Sequence, residues 1–289
     1  MSGIGNGSGS GSGSGSGNGS GNGSGSGNGY GSAPDSGGSD PAPARLSSGG
    51  DPGELVVASD RAEHAALAGE LMAQAMWTAI RERGHCRVAV SGGSTPAEAY
   101  RYIAGLRLPW DKIEWFWVDE RAVPPDHARS NYAAARRDLG LDRPEIPPHL
   151  VHRMEAEASD LGAAADRYER LLRLSFGVAS AVAFDVMSLG IGDDGHTASL
   201  FPGTGSVAVA DRLVLPVAEH RDLEARLTLT APVLCEARLV VMLARGENKR
   251  AVVAAARGMG SEDEVPARVL QRARGRVIWV LDKEAAGAV

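Results

Sequence analysis

Two aspartates and a histidine, Asp193, Asp194 and His196, stand almost side by side in residues 187–203, MSLGIGDDGHTASLFPG. An imidazole titrates near neutral pH and acts as a general base once a neighbour fixes its tautomer, which an adjacent carboxylate can do. Gly190, Gly192 and Gly195 let the backbone turn tightly and come close to a ligand. This span reads as the reactive centre, with Asp194 orienting His196.

Other groups along the chain could serve that centre. Ser91-Gly92-Gly93-Ser94-Thr95-Pro96 follows an apolar run and precedes a helical pattern. Free backbone N–H groups and the positive end of a helix dipole would face such a turn, with hydroxyls alongside, making a seat for phosphate. A plain, well-capped turn is the alternative. It is not a Walker A loop, because the Gly-Lys-Ser/Thr ending is missing. Asp119-Glu120-Arg121 closes an aromatic-rich run, where open α/β sheets bind ligands, unless it is only a solvated strand exit. Lys249 opens a helical stretch, where the dipole disfavours a cation, so it is either solvated or set to meet an anion. His149 and His152 have an HxxH spacing but sit beside two prolines without a carboxylate partner, and read as surface residues.

The elements that must position these groups alternate in type. Strands are expected at 55–58, 86–90, 113–118, 181–189, 213–217, 227–229, 238–244 and 276–281. Helices are expected at 60–83, capped by Ser59 and stopped by Gly84, and at 130–139, capped by Ser130 and closed by Gly140. Another runs to about Ile103, with Thr95 and Glu98 as a capping box and Pro96 in its first position. Further helices fall at 159–176, 249–257 and 265–271. Apolar strands alternating with helices predict an α/β fold: a doubly wound, mostly parallel sheet with helices on both faces.

Composition sets the outer limits. Residues 1–53 are rich in Gly, Ser and Asn, with Pro and Asp added toward the end, and are expected to be a disordered tail; residues 54–289 form the α/β domain. A basic start and an apolar core for a signal peptide are both missing, and no apolar run reaches the roughly 18 residues of a membrane span. Cys86 and Cys235 lie in or beside apolar segments and read as buried thiols of a reduced, cytoplasmic protein. The net charge of −6 is well mixed, which argues against a nucleic-acid partner. An anionic ligand would need a local positive site.

Gly190-x-Gly192-x-x-Gly195 also matches the dinucleotide pattern. Two aspartates inside the turn would repel a pyrophosphate, Pro202 comes too soon for the long helix, and Asp211 precedes a strand instead of ending one. A metal site has too few ligands in Asp193, Asp194 and His196, and no HExxH or cysteine cluster adds others. A purely structural histidine remains as a further alternative to catalysis.

SGGSTP (91–96), DERAVPPDHARSN (119–131), LGIGDDGHTASLFPG (189–203), RLTLT (226–230) and GENK (246–249) occur together and in this order. From about residue 55 to 281 the chain resembles the glucosamine-6-phosphate isomerase/6-phosphogluconolactonase family. The resemblance implies a Rossmann-like fold and a cytoplasmic enzyme without a cofactor or metal. The implied reaction is hydrolysis of 6-phospho-D-glucono-1,5-lactone to 6-phosphogluconate in the oxidative pentose phosphate pathway. In the deaminase branch a glutamate stands five residues after the histidine; here it is Phe201, which favours the lactonase branch. The implied phosphate seat is Ser91, Gly92, Gly93, Ser94 and Thr95, with Arg226 and Lys249 as phosphate contacts. His196 is the expected base, oriented by Asp194. Arg121 stabilises the carbonyl oxygen or the sugar hydroxyls, and Asp119 and Asn131 order that wall. The expected partner is a phosphorylated sugar lactone, with no nucleic acid or membrane, and the protein a monomer or small homo-oligomer. The rivals are a sugar-phosphate isomerase or deaminase on the same fold and a non-catalytic sugar-phosphate sensor.

Overall fold

β1 (Glu54–Ala58) leads into α1 (Arg61–Arg83) and then β2 (Cys86–Val90). In this computed structural model residues 52–177, 181–219 and 223–287 are described, with Ser12 besides. The predicted tail, residues 1–53, therefore lies outside the described residues except for Ser12, Pro52 and Gly53. The α1 cap is Asp60, not Ser59: the Asp60 carboxylate accepts from the Glu63 N–H, while Ser59 donates to the Glu63 carboxylate. Gly84 stops the helix in the left-handed region, φ 80°, as expected.

α2 (Ser94–Ala104) begins earlier than the capping-box reading placed it, on Gly93, and no side chain caps it. Thr95 and Glu98 do not pair. The Glu98 carboxylate is instead taken by Arg61 and Arg245, charged partners that outcompete a neutral backbone N–H. The aromatic strand β3 (Ile113–Trp117) is followed by β4 (Asp119–Arg121), and α3 (Asn131–Leu139) is capped by Ser130 and closed by Gly140. Then come β5 (Val151–His152), α4 (Leu161–Phe176), β6 (Val186–Gly190), β7 (Val214–Val217) and β8 (Arg226–Leu229). α5 (Ala231–Glu236), β9 (Leu239–Ala244), α6 (Arg250–Arg257), β10 (Arg276–Asp282) and α7 (Lys283–Ala286) complete the chain. The predicted helix at 265–271 is a 3-10 helix, Pro266–Arg272.

Seven strands form one sheet in the order β1-β10-β9-β6-β2-β3-β5, every pairing parallel. All six residues of β9 are buried. Since successive side chains point to opposite faces, both faces of the sheet are covered, as a doubly wound fold requires. From β2 the order runs outward through β3, and from β6 it runs outward the other way through β9. The crevice between β2 and β6 is thus the topological switch point, the place where such sheets bind ligands at their carboxyl ends.

One feature of the topology differs from expectation. β4, β8 and β7 form a separate antiparallel sheet of three strands. Asp119-Glu120-Arg121 is therefore not a solvated strand exit but a paired strand, with Asp119 and Glu120 buried. The Glu120 carboxylate accepts from the backbone N–H groups of Arg121, Asn131 and Tyr132 and from the Ser130 hydroxyl, tying this sheet to the start of α3. His152 is not a free surface residue either: its ring stacks on Phe116, centroids 4.5 Å apart, and faces Glu114, whereas His149 is exposed. Among the described residues no helix is long and apolar enough to cross a membrane.

Candidate active site

The glycine turn after β2 is shaped by what lies beneath it. Asn131, the first residue of α3, donates through Nδ2 to the Asp119 carbonyl and carboxylate, and this holds its amide against Gly92. A Cβ at Gly92 would sit 1.8 Å from Asn131 Oδ1, so only glycine fits. Ser91 is fixed from behind, its N–H donating to the Tyr100 hydroxyl at 2.9 Å. Because α2 has no side-chain cap, the N–H groups of its first turn are left for a ligand.

On the other side of the crevice, the loop after β6 carries His196. Asp194 Oδ1 accepts both the His196 backbone N–H, at 3.1 Å, and a 2.6 Å contact with the ring Nδ1. That contact assigns the proton to Nδ1 and leaves Nε2 as the basic nitrogen. Burial works to raise the Asp194 carboxyl, but the N–H and ring of His196 outweigh it and hold it below its ordinary range. Gly192 makes room for the pair: a Cβ there would lie 2.1 Å from His196 Nδ1 and 2.7 Å from Asp194 Oδ1. Phe201 packs against the ring, centroids 4.8 Å apart, and carries Arg226 on its other contact, 5.5 Å from guanidinium carbon to ring centroid.

Four cations line the crevice, three of them expected from the sequence. Arg226, on β8, is 6% exposed and lies 3.7 Å from the Asp119 carboxylate. Burial lowers its pKa, Asp119 opposes that, and nearby Arg121 adds to it. Asp119 also accepts from the Ser199 hydroxyl at 2.6 Å, so this one buried carboxylate orders Arg226, Asn131 and Ser199 together. Arg121 is anchored through Nη1 to the Arg129 carbonyl. Lys249 donates to the Ile191 carbonyl at 2.7 Å and meets Asp193 at 2.6 Å. The Lys249 hydrogen bond holds the Asp193 carboxyl below its usual value. Asp193 thus steers the lysine and not the histidine.

These groups surround one cavity of about 260 Å³, lined by the 91–95 turn, Asp119, Arg121, Asn131, His196, Arg226 and Lys249. Every site residue expected from the sequence lines it except Asp194, which stands behind His196. Sequence reasoning missed Arg245 and Ala198, which also line it. Ala198 adopts φ 49°, rare outside glycine, in the turn closed by the Leu200 N–H on the Thr197 carbonyl. Nothing in local spacing marks either residue. Among the described residues no group of three or more His, Cys, Asp and Glu side chains could hold a metal ion.

A cation-rich crevice at the switch point, with a carboxylate–imidazole pair on one wall and a glycine turn on the other, suits a small phosphorylated substrate. Residues 59–279 match the family described as glucosamine-6-phosphate isomerases/6-phosphogluconolactonase. The chain belongs to this family. Within it, a Nostoc sp. protein named 6-phosphogluconolactonase is 42% identical over 214 residues, 73% of this chain and 87% of that one. The Homo sapiens protein of the same name is 35% identical over 242 residues, 81% of this chain and 93% of its own. The solved 6-phosphogluconolactonase from Trypanosoma cruzi superposes with a TM-score of 0.72 at 30% identity, covering 82% and 97% of the two chains. A monomeric glucosamine-6-phosphate deaminase superposes at 0.69 with 23% identity, a likeness of fold alone.

Proposed function

We propose that the protein hydrolyses 6-phospho-D-glucono-1,5-lactone to 6-phosphogluconate, the lactonase step of the oxidative pentose phosphate pathway. The single observation that carries the mechanism is the 2.6 Å contact between Asp194 Oδ1 and Nδ1 of His196, whose ring lines a cavity together with Arg121, Arg226, Lys249 and the 91–95 turn. The substrate phosphate occupies the 91–95 turn, with Arg226 and Lys249 as its countercharges. Anchoring there holds the lactone carbonyl in register with the imidazole and removes much of the entropic barrier. His196 Nε2 takes a proton from water as its oxygen attacks C1, and Asp194 stabilises the imidazolium that forms. Collapse of the tetrahedral intermediate breaks the bond from C1 to the ring oxygen, which receives the proton from His196. Arg121 faces the developing oxyanion or the sugar hydroxyls.

Phe201 supports the lactonase over the deaminase reading. The position that would carry an acid holds an apolar ring packed under both His196 and Arg226. We place the reaction in the cytoplasm, a reading supported by two buried, unpaired cysteines, with the protein a monomer or small homo-oligomer. The test is lactone hydrolysis by purified protein, measured above spontaneous opening, with His196→Ala alongside. A fast wild type and a variant slowed about 10²- to 10⁴-fold is the expected result. No rate above background with 6-phosphogluconate still bound would make the protein a sensor.

A further inference from the structure

Arg245 follows directly on β9 and lines the cavity beside Ser94, Thr95 and Lys249. Its two terminal nitrogens donate to the two oxygens of Glu98, each at 2.9 Å. Glu98 sits on α2 just beyond Thr95, is 9% exposed, and is paired with Arg61 as well. Burial works to raise its carboxyl, yet the two guanidiniums hold it below its ordinary range.

Two guanidiniums thus share one carboxylate beside the start of a helix, and Asp60 and Asp282 line a neighbouring pocket with them. The dipole there already disfavours cations. The two arginines are not equivalent. The Arg61 side chain is 73% exposed, so water screens it and its position costs little; that of Arg245 is 16% exposed. A purely structural pair would need one arginine for one carboxylate, and apolar residues would serve as well. A largely buried cation at an uncapped helix start becomes favourable when an anion occupies the turn.

We propose that Arg245 is a phosphate-binding residue of this site, and that Glu98 is a positioning residue acting through it by holding the planar guanidinium at the first turn of α2. This rests on the phosphate seat of the functional reading above. Arg61 neutralises Glu98 from the solvent side and is not needed for binding. The arrangement explains why Glu98 was unavailable as a helix cap.

The experiment compares the wild type with Arg245→Ala, Glu98→Gln and Arg61→Ala, reading the Kd of inorganic phosphate from thermal shift alongside KM and kcat for the lactone. Arg245→Ala should raise the phosphate Kd and KM about tenfold to a hundredfold, the weight of a charge-assisted hydrogen bond, and leave kcat nearly unchanged. Glu98→Gln should move both in the same direction by less, and Arg61→Ala should match the wild type. Where Arg245→Ala does not fold, Glu98→Met with Arg245→Met replaces the whole pair by apolar volume, and the same rise in phosphate Kd is expected. An unchanged phosphate Kd in the folded variants, with Lys249→Ala raising it, overturns the proposal. A wild type that binds phosphate through Arg245 but does not hydrolyse the lactone would overturn the proposed reaction and leave this assignment standing.

Discussion

Replacing Asp194 by Asn tests the site without altering its shape. Asp194 Oδ1 accepts both the backbone N–H and a 2.6 Å contact with the ring Nδ1 of His196. An Asn can turn its oxygen to the backbone N–H only by presenting its amide to other neighbours, or its amide to Nδ1 by giving up the backbone contact. In the second arrangement Nδ1 becomes an acceptor and the proton moves to Nε2, so the nitrogen facing the substrate is no longer basic. Loss of a hydrogen bond to a charged group alone is worth about 1.5–3 kcal/mol, roughly a 10- to 150-fold factor. Loss of general-base function raises the ceiling to about 10⁴. The expected kcat for Asp194→Asn is therefore about 10²-fold below wild type, with KM little changed because Asp194 does not line the cavity. The assay is lactone opening followed as acid release at constant pH, corrected for the spontaneous rate, with His196→Ala and the double variant in parallel. The double variant should be no slower than His196→Ala. A kcat for Asp194→Asn within about twofold of wild type would refute the assignment of His196 as an oriented base, since the predicted loss spans 10- to 10⁴-fold.

Gly192→Ala should abolish most activity with the fold retained, because its Cβ would meet His196 Nδ1 at 2.1 Å; full activity with an unchanged circular dichroism spectrum would argue against the pair. Arg226→Ala and Lys249→Ala should each raise KM and weaken inhibition by inorganic phosphate, and competition kinetics would read both. Native protein should be inert to a thiol reagent at pH 8, since both cysteines are buried and burial pushes the Cys235 thiol up to about 11; both should react once denatured. Acid should weaken the molecule in a defined direction. The Asp193, Asp194 and Glu98 carboxyls are held below their ordinary values of 3.8, 3.8 and 4.5, so their stabilisation is complete above those values and is lost as pH falls through the lower folded-state values. A denaturation midpoint that falls on acidification below about pH 4.5 would bear this out, and one that rises would contradict it.

How much of this was legible in the sequence depended on the range of the interaction. Ser130 and Gly140 mark the two ends of α3 in the sequence itself, because a cap is settled within a few residues. Thr95 and Glu98 had the same local signature, and it failed because Arg61 and Arg245, distant in sequence, claim the carboxylate. The parallel sheet followed from alternation of strands and helices. The antiparallel sheet did not, because β4 finds β8 only after a long intervening stretch, and the short run 119–121 has no periodicity of its own. The carboxylate–imidazole pair proposed as catalytic was visible as Asp194-Gly195-His196. Phe201 was visible only as a missing acid, and its packing under His196 and Arg226 required the fold.

The pairing of β1 with β10 has a consequence for synthesis. Among the described residues β1 is the first strand in the chain and an edge of the seven-stranded sheet, and its neighbour there is β10, the last of those strands. While the ribosome adds the helices and strands in between, Leu55 and Val57 must wait in a chain that has nothing to bond them. Only when residues 276–282 emerge can the edge close, with the indole of Trp279 donating to the Pro52 carbonyl. The sheet can nucleate early around β2 and β3, which are near in sequence, but its β1 margin closes only after β10 has been made.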